Sequence, residues 1–249
     1  TKNHFTGIIS GTLITALIQS SSASTVMFVS FVNAGLLTFF ESISLLMGAN
    51  IGTTITTWLI SFLGFKIDIS IIFLPLLAAS FPLIFSKKNH WRSWGEVIVG
   101  FSLLFLGIVF MKEIIPDIHD KPEILSFLSA YSIEGSGTIL LFILVGFILT
   151  VIIQSSSATL ALIIVMCGNG WIGFELGAAI VIGSNIGTSI TVNIASLVGN
   201  RKARKSAFSH FMFNFAGAII TSLFFFSLIE LSNQITLLIE GKSPLAKSS

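Results

Sequence analysis

Long apolar runs separated by short polar punctuation dominate the chain. Residues 3–40, 42–65, 69–86, 97–111, 135–174, 176–200 and 206–229 contain no Asp, Glu, Lys or Arg. A membrane-spanning helix needs about 20 mostly apolar residues, and most of these windows can supply one. The pattern inside them is uneven. Residues 5–18 and 23–33 are apolar arms around a polar knot at 19–22. Each arm is too short to cross about 30 Å of hydrocarbon at about 1.5 Å per residue. This predicts a re-entrant helical hairpin with serines at its tip. Residues 36–63 read as one span interrupted over 48–54, where Gly, Asn and Thr replace large apolar residues. Residues 69–86 and 94–112 read as two plain spans, and 113–136 as a polar loop. The second half then gives a hairpin over 138–168, an interrupted span over 172–199 and a span over 206–229. A tail, 232–249, turns polar towards its end.

The polar knots repeat. Gln19-Ser20-Ser21-Ser22-Ala23 recurs as Gln154-Ser155-Ser156-Ser157-Ala158, 135 residues on. Gly48-Ala49-Asn50-Ile51-Gly52-Thr53-Thr54-Ile55-Thr56 recurs as Gly183-Ser184-Asn185-Ile186-Gly187-Thr188-Ser189-Ile190-Thr191 at the same offset. Apolar helices that match by chance align Leu with Ile, not Gln-Ser-Ser-Ser with itself, so the chain reads as a duplication. The first repeat is 1–86, the second 94–231, and 232–249 a C-terminal tail. The span at 94–112 precedes the second hairpin, and its counterpart would lie before Thr1. Each repeat is then expected to run span, hairpin, broken span, span. Three crossings per repeat would invert the second repeat relative to the first. The expected fold is an all-α integral membrane protein of two inverted repeats, each with a re-entrant hairpin and a broken transmembrane helix.

Composition and charge narrow the class. The chain is 53% hydrophobic and 10% charged, against about 25% charged in soluble domains. That excludes a soluble enzyme, a nucleic-acid binder and a disordered chain. The net charge of +2 implies no polyanionic partner, and a single cysteine, Cys167, excludes an internal disulfide or a cysteine-based metal cluster. No signal peptide is visible, and a chain starting at Thr1 is expected to be part of a longer one. Following the crossings, loops 87–93 and 200–205 share one side. They carry Lys87, Lys88, Arg92, Arg201, Lys202, Arg204 and Lys205, seven basic residues, against Lys66, Lys112 and Lys121 on the other side. The positive-inside rule makes the first side cytoplasmic and puts 113–136 outside, in an inner (plasma) membrane.

The motifs suggest chemistry. Helix N-termini capped by serine hold anions through free N–H groups and the helix dipole. Ser20, Ser21 and Ser22, with Ser155, Ser156 and Ser157, fall where second hairpin arms begin. Gly52 and Gly187 would let the spans unwind. Asn50, Thr53 and Thr54, like Asn185, Thr188 and Ser189, would then start half-helices. Discontinuous helices in inverted repeats are the architecture of secondary transporters. The cavity they enclose would hold no charged side chain, so a bound anion needs a cation travelling with it, such as sodium on hydroxyl and carbonyl oxygens. The plainer reading of Ser/Thr/Gly runs is close helix packing; two copies of both motifs argue against it. For His210 and Asn214, one helical turn apart, interhelix hydrogen bonding is the plainer reading and a site contribution from Asn214 the other. Glu41 and Glu175, at span starts, receive no role. An intramembrane enzyme would need a catalytic acid, base or metal cluster at depth, which the interior lacks; the chain reads as no enzyme. Transport of another small oxyanion or of a carboxylate, and an anion channel, stay open.

The paired QSSS runs followed by G-x-N-I-G-T resemble the type II sodium-dependent phosphate cotransporters, in their bacterial branch. The segment from Gly100 to Gly107 with Met111, and His210-Phe211-Met212-Phe213-Asn214, resemble further family segments. The resemblance implies a sodium-driven importer of inorganic phosphate working by alternating access. It places phosphate among Gln19, Ser20, Ser21, Ser22, Gln154, Ser155, Ser156 and Ser157 and the half-helix starts named above. It implies sodium at Gln154, Ser155, Ser184, Thr188 and Thr191, with Gln19, Ser20, Thr53 and Thr56 as first-repeat counterparts and Asn214 as a further candidate. Ala49 stands where Ser184 is expected, and Pro75 and Ala79 stand opposite His210 and Asn214, so the halves should not bind ions alike. No cofactor is implied beyond sodium as co-substrate. The partners are phosphate, sodium and the lipid bilayer; a homodimer is among the assemblies the sequence allows.

Overall fold

The computed structural model describes residues 3–66, 69–114 and 136–240. Every regular element among them is a helix. In chain order these are α1 (His4–Ile18), α2 (Ser21–Asn33), α3 (Phe39–Lys66), α4 (Ile69–Ile84), α5 (Asn89–Ile114), α6 (Ser136–Ile153), α7 (Ser156–Gly168), α8 (Phe174–Ser196), α9 (Arg201–Leu223) and α10 (Phe225–Glu240). Phe39–Ser61, Asn89–Phe110 and Phe174–Ser196 are each long and apolar enough to cross a bilayer, and the bent pair α9–α10 makes a fourth candidate. Large apolar side chains stand exposed along the helices, among them Leu17, Ile152, Phe85 and Leu223. Such a surface suits hydrocarbon as its solvent, and the chain is a helical membrane protein.

Two compact units emerge. The larger holds residues 1–57 and 122–249, the smaller 58–121. The smaller is built on α4 against α5. Phe73 stacks on Phe105 with ring centroids 4.7 Å apart, and a Cβ at Gly95 would sit 2.8 Å from the Ile84 nitrogen, so the helices meet almost backbone to backbone.

In the larger unit, hairpins α1–α2 and α6–α7 share one local design. Each first arm ends on a glutamine in the left-handed region, Gln19 and Gln154, both at φ 57°. The next residue, Ser20 or Ser155, is extended, and its hydroxyl accepts from Ala23 N or Ala158 N at 3.3 Å. The serine thus caps the second arm. Gln19 and Gln154 are the two non-glycine residues with positive φ among the described residues. L-residues avoid that region at a cost of about 1–2 kcal/mol, and it appears at both tips.

The interrupted spans are not interrupted. α3 runs through 48–54 and α8 through 183–189 as continuous helix. The glycines serve close approach instead. A Cβ on Gly48 would lie 2.1 Å from Ile8 O, and on Gly183 1.8 Å from Ile143 O. Gly52 and Gly187 abut Thr15 and Thr150, each with 2.8 Å between the added Cβ and the threonine Cβ, while Gly11 and Gly146 face Leu45 O and Ile180 O. Every one of these pairings in α1–α3 recurs 135 residues later in α6–α8. The close-packing reading therefore holds for the glycines, and four half-helix starts reduce to two, those of α2 and α7.

The last span also differs from expectation. α9 begins at Arg201, capped by Asn200, and ends at Leu223, where the chain bends by 79° into α10. Residues 232–240, expected as tail, belong to α10. The loop expected over 113–136 lies almost wholly outside the described residues.

Candidate functional site

The two hairpin tips meet. Ser21 Oγ and Ser156 Oγ, equivalent positions of the two repeats, are hydrogen-bonded at 3.0 Å, and both residues are buried. Behind Ser21, the Thr25 hydroxyl donates to Ser21 O at 2.7 Å and reaches Ser22 O at 3.1 Å. The half-buried Ser22 and Ser157 offer hydroxyls with no hydrogen bond to any described residue. Gln19 turns its amide back onto Ala16 O within its own arm, whereas Gln154 is exposed. The tips thus supply four hydroxyls at two helix N-termini, two of them bonded to each other.

A chain of hydroxyls runs from the second tip into α8. Thr159 Oγ1 donates to Ser155 O at 3.0 Å. Thr150 Oγ1 lies 3.2 Å from Thr159 Oγ1 and 2.9 Å from Ser184 Oγ. The Thr188 hydroxyl donates to Ser184 O at 3.0 Å. Ser155, Ser184 and Thr188, three of the five expected sodium ligands, are joined in this way; Gln154 and Thr191 are not. Thr150 and Thr159 are members that sequence reasoning missed. The available signal was their position, Thr150 one turn before Gln154 and Thr159 one turn after Ser155. In the first repeat the same place holds Thr15, Ser24 and Ala49. Ser24 bonds Ser20 O, Ala49 has no hydroxyl, and Thr15 Oγ1 is buried with no partner.

A third cluster crosses between the repeats. Asn50 Nδ2 donates to Asn214 Oδ1 at 2.6 Å, and Asn50 Oδ1 lies 3.2 Å from His210 Nε2. Asn214 Nδ2 donates to Asn185 O at 3.0 Å and stands 3.2 Å from His210 Nε2. Both His210 and Asn214 are buried, so the interhelix reading of this pair holds. Asn185 contributes its carbonyl, and its side chain is exposed. The remaining residues behave as ordinary helix interior. Thr53, Thr54 and Ser189 hydroxyls return to Ala49 O, Ile51 O and Ile186 O. Thr56 is buried. None of Asn50, Thr53, Thr54, Asn185, Thr188 and Ser189 begins a half-helix, because their backbone N–H groups are used inside α3 and α8. The backbone N–H groups of these residues are therefore not available to an ion.

Short apolar hairpins with hydroxylated tips, packed against long apolar helices around buried neutral polar clusters, define a helical membrane protein with a polar interior. The Na+/Pi-cotransporter family profile matches residues 1–113 and 134–240. The chain belongs to that family, a family of transporters and not of enzymes. It is 30% identical over 211 residues to the uncharacterized protein YqeW of Bacillus subtilis, covering 84% of this chain and 65% of that one. It is 26% identical over 226 residues to YjbB of Escherichia coli, whose name makes it a candidate inorganic phosphate export protein, covering 90% and 40%. A 60-residue stretch is 47% identical to human sodium-dependent phosphate transport protein 2B, covering 24% of this chain and 9% of that one. The chain thus spans under two thirds of these relatives. No solved structure matches it.

Proposed function

We propose that the protein carries inorganic phosphate across the membrane together with sodium, binding the anion at the meeting of the two hairpin tips. The observation that carries this reading is the buried Ser21–Ser156 contact. Two capped helix N-termini bring neutral donors to one point, where dipoles and hydroxyls favour an anion. Phosphate replaces the hydroxyl–hydroxyl bond with charge-assisted ones, each worth about 1.5–3 kcal/mol, and recruits Ser22 and Ser157. Sodium sits on the hydroxyl chain of Ser155, Ser184 and Thr188, with Thr150 and Thr159 added, because nothing else described there neutralises a buried anion, which left alone costs several kcal/mol or more. The two repeats are inverted, the hairpins are re-entrant, and the basic loops 87–93 and 200–205 are cytoplasmic. Inward transport follows from the sodium gradient, by alternating access about the tips.

The test is phosphate uptake by the full-length protein in proteoliposomes with sodium outside. Ser21→Ala and Ser156→Ala should each weaken phosphate binding about tenfold or more at saturating sodium, with folding intact. Unchanged affinity in both overturns the site. Equal uptake with sodium replaced by choline overturns the coupling and leaves a channel. The name of the YjbB relative favours a second reading, outward transport. Efflux from phosphate-loaded vesicles that exceeds uptake under mirrored gradients would establish it.

A further inference from the structure

A cavity of about 690 Å³ opens in the larger unit, between the end of α2 and the start of α9. Its walls include Thr38, Phe39, Phe40 and Phe208, with Lys202 and Lys205 beside them. We propose that this cavity binds an anionic membrane phospholipid, its phosphodiester on Lys202 and Lys205 and its acyl chain along the phenylalanines. The proposal requires that the chain be membrane-embedded and is independent of what the tips bind.

The charge at this end of α9 favours an anion. Arg201, Lys202, Arg204 and Lys205 crowd the first turns of α9, whose N-terminus already carries partial positive charge. No acidic residue stands in that first turn. Arg204 is occupied with Gly199 O and Leu197 O. Among the described residues no ion pair reaches Lys202 or Lys205. Thr38, in the cavity wall, donates both its N–H and its hydroxyl to Glu41, so it has no proton left for a ligand, and the lysines are the charged donors the wall offers.

The walls decide what kind of anion. Phe40 is 67% exposed and Phe208 55% exposed. Free phosphate gains nothing from aromatic walls and would rattle in a cavity of drug-ligand size. An amphiphile with a phosphate end and a hydrocarbon body uses both features, as basic pockets between transmembrane helices do. The pocket is also preformed. Asn200 N and Nδ2 donate to Asn33 Oδ1 and O at 2.7 and 2.9 Å, and Ser42 bonds Ser206. These bonds tie the first hairpin and α3 to α9, so a lipid seated here braces one repeat against the other.

Thermal unfolding of the full-length protein in neutral detergent, titrated with phosphatidylglycerol or phosphatidylcholine, tests this. The wild type should be stabilised by phosphatidylglycerol and much less by phosphatidylcholine. K202Q/K205Q should weaken the phosphatidylglycerol effect about twentyfold in lipid concentration. K202R/K205R, which keeps the charge, should retain it. K87Q/K88Q, in the other basic loop, should leave it unchanged. Equal stabilisation by both lipids, or an equal loss in K87Q/K88Q, overturns the pocket in favour of diffuse surface charge. Abolition of the lipid effect by millimolar inorganic phosphate assigns the cavity to free phosphate and overturns the lipid.

Discussion

Thr15 and Thr150 occupy equivalent positions and fare differently. Thr150 finds Ser184 and Thr159, while in the first repeat Ala49 takes the place equivalent to Ser184 and Thr15 keeps a buried hydroxyl without a partner. An unsatisfied buried hydroxyl costs about 1–3 kcal/mol, though interhelix hydrogen bonds within membranes are often worth less. Ala49→Ser should therefore raise stability by about 1 kcal/mol, read as a higher unfolding midpoint in detergent. Ser184→Ala should lower it by a similar amount. A destabilised Ala49→Ser protein would mean that the site, fully buried at Ala49, has no room for the oxygen. The sequence revealed this asymmetry, because the duplication aligned Ala49 with Ser184 directly. It did not reveal Thr15, Thr150 or Thr159, which lie inside apolar arms where one threonine looks like any other. The direct contact of Ser21 with Ser156 was likewise not legible: alignment gives equivalence, and only folding gives distance.

At the scale of elements, the glycines of α3 and α8 carry the lesson. In sequence, a Gly-x-Asn-Ile-Gly run inside a span admits a hinge or a close contact, and the difference lies in a neighbour the run itself does not contain. The neighbours are α1 and α6, whose carbonyls lie where side chains would have to be. Gly183→Ala should force α6 and α8 apart, destabilising by about 3 kcal/mol or preventing folding. Gly48→Ala should do the same to α1 and α3. Gly100→Ala and Gly217→Ala meet open space and should be neutral or gain up to about 1 kcal/mol from helix propensity. Thermal unfolding of the four variants separates the two groups. A Gly183→Ala protein as stable as wild type would restore the hinge reading. The hairpins, by contrast, were legible as short arms around a polar knot, although the left-handed glutamine at each tip had no signature beyond its position.

For the whole molecule, sidedness is the property that charge alone foretells. If loops 87–93 and 200–205 share the cytoplasmic face, Lys88→Cys and Lys202→Cys should react with an impermeant thiol reagent only after the inner face is exposed. Cys167 is retained as the internal control. Labelling of positions 88 and 202 from opposite faces would remove the inverted arrangement and alternating access with it. The helical class, the short paired arms of each half and the family were readable from apolar windows and duplicated motifs. The bend between α9 and α10 was not, because the apolar pattern continues across it.

The bond between Ser21 and Ser156 joins identical groups at equivalent places, and either hydroxyl can be its donor. Such a pair has no handedness. Breaking it asks the same work whichever repeat moves first, so the latch itself carries no preference for inward or outward flow. The two tips differ in what lies behind them, Ala49 in one repeat and Ser184 in the other, while the direction of net flow rests with the gradients on the two sides. If the tips hold the cargo as proposed, a clasp of two like halves decides only whether the path is open and leaves which way the cargo goes to the gradients.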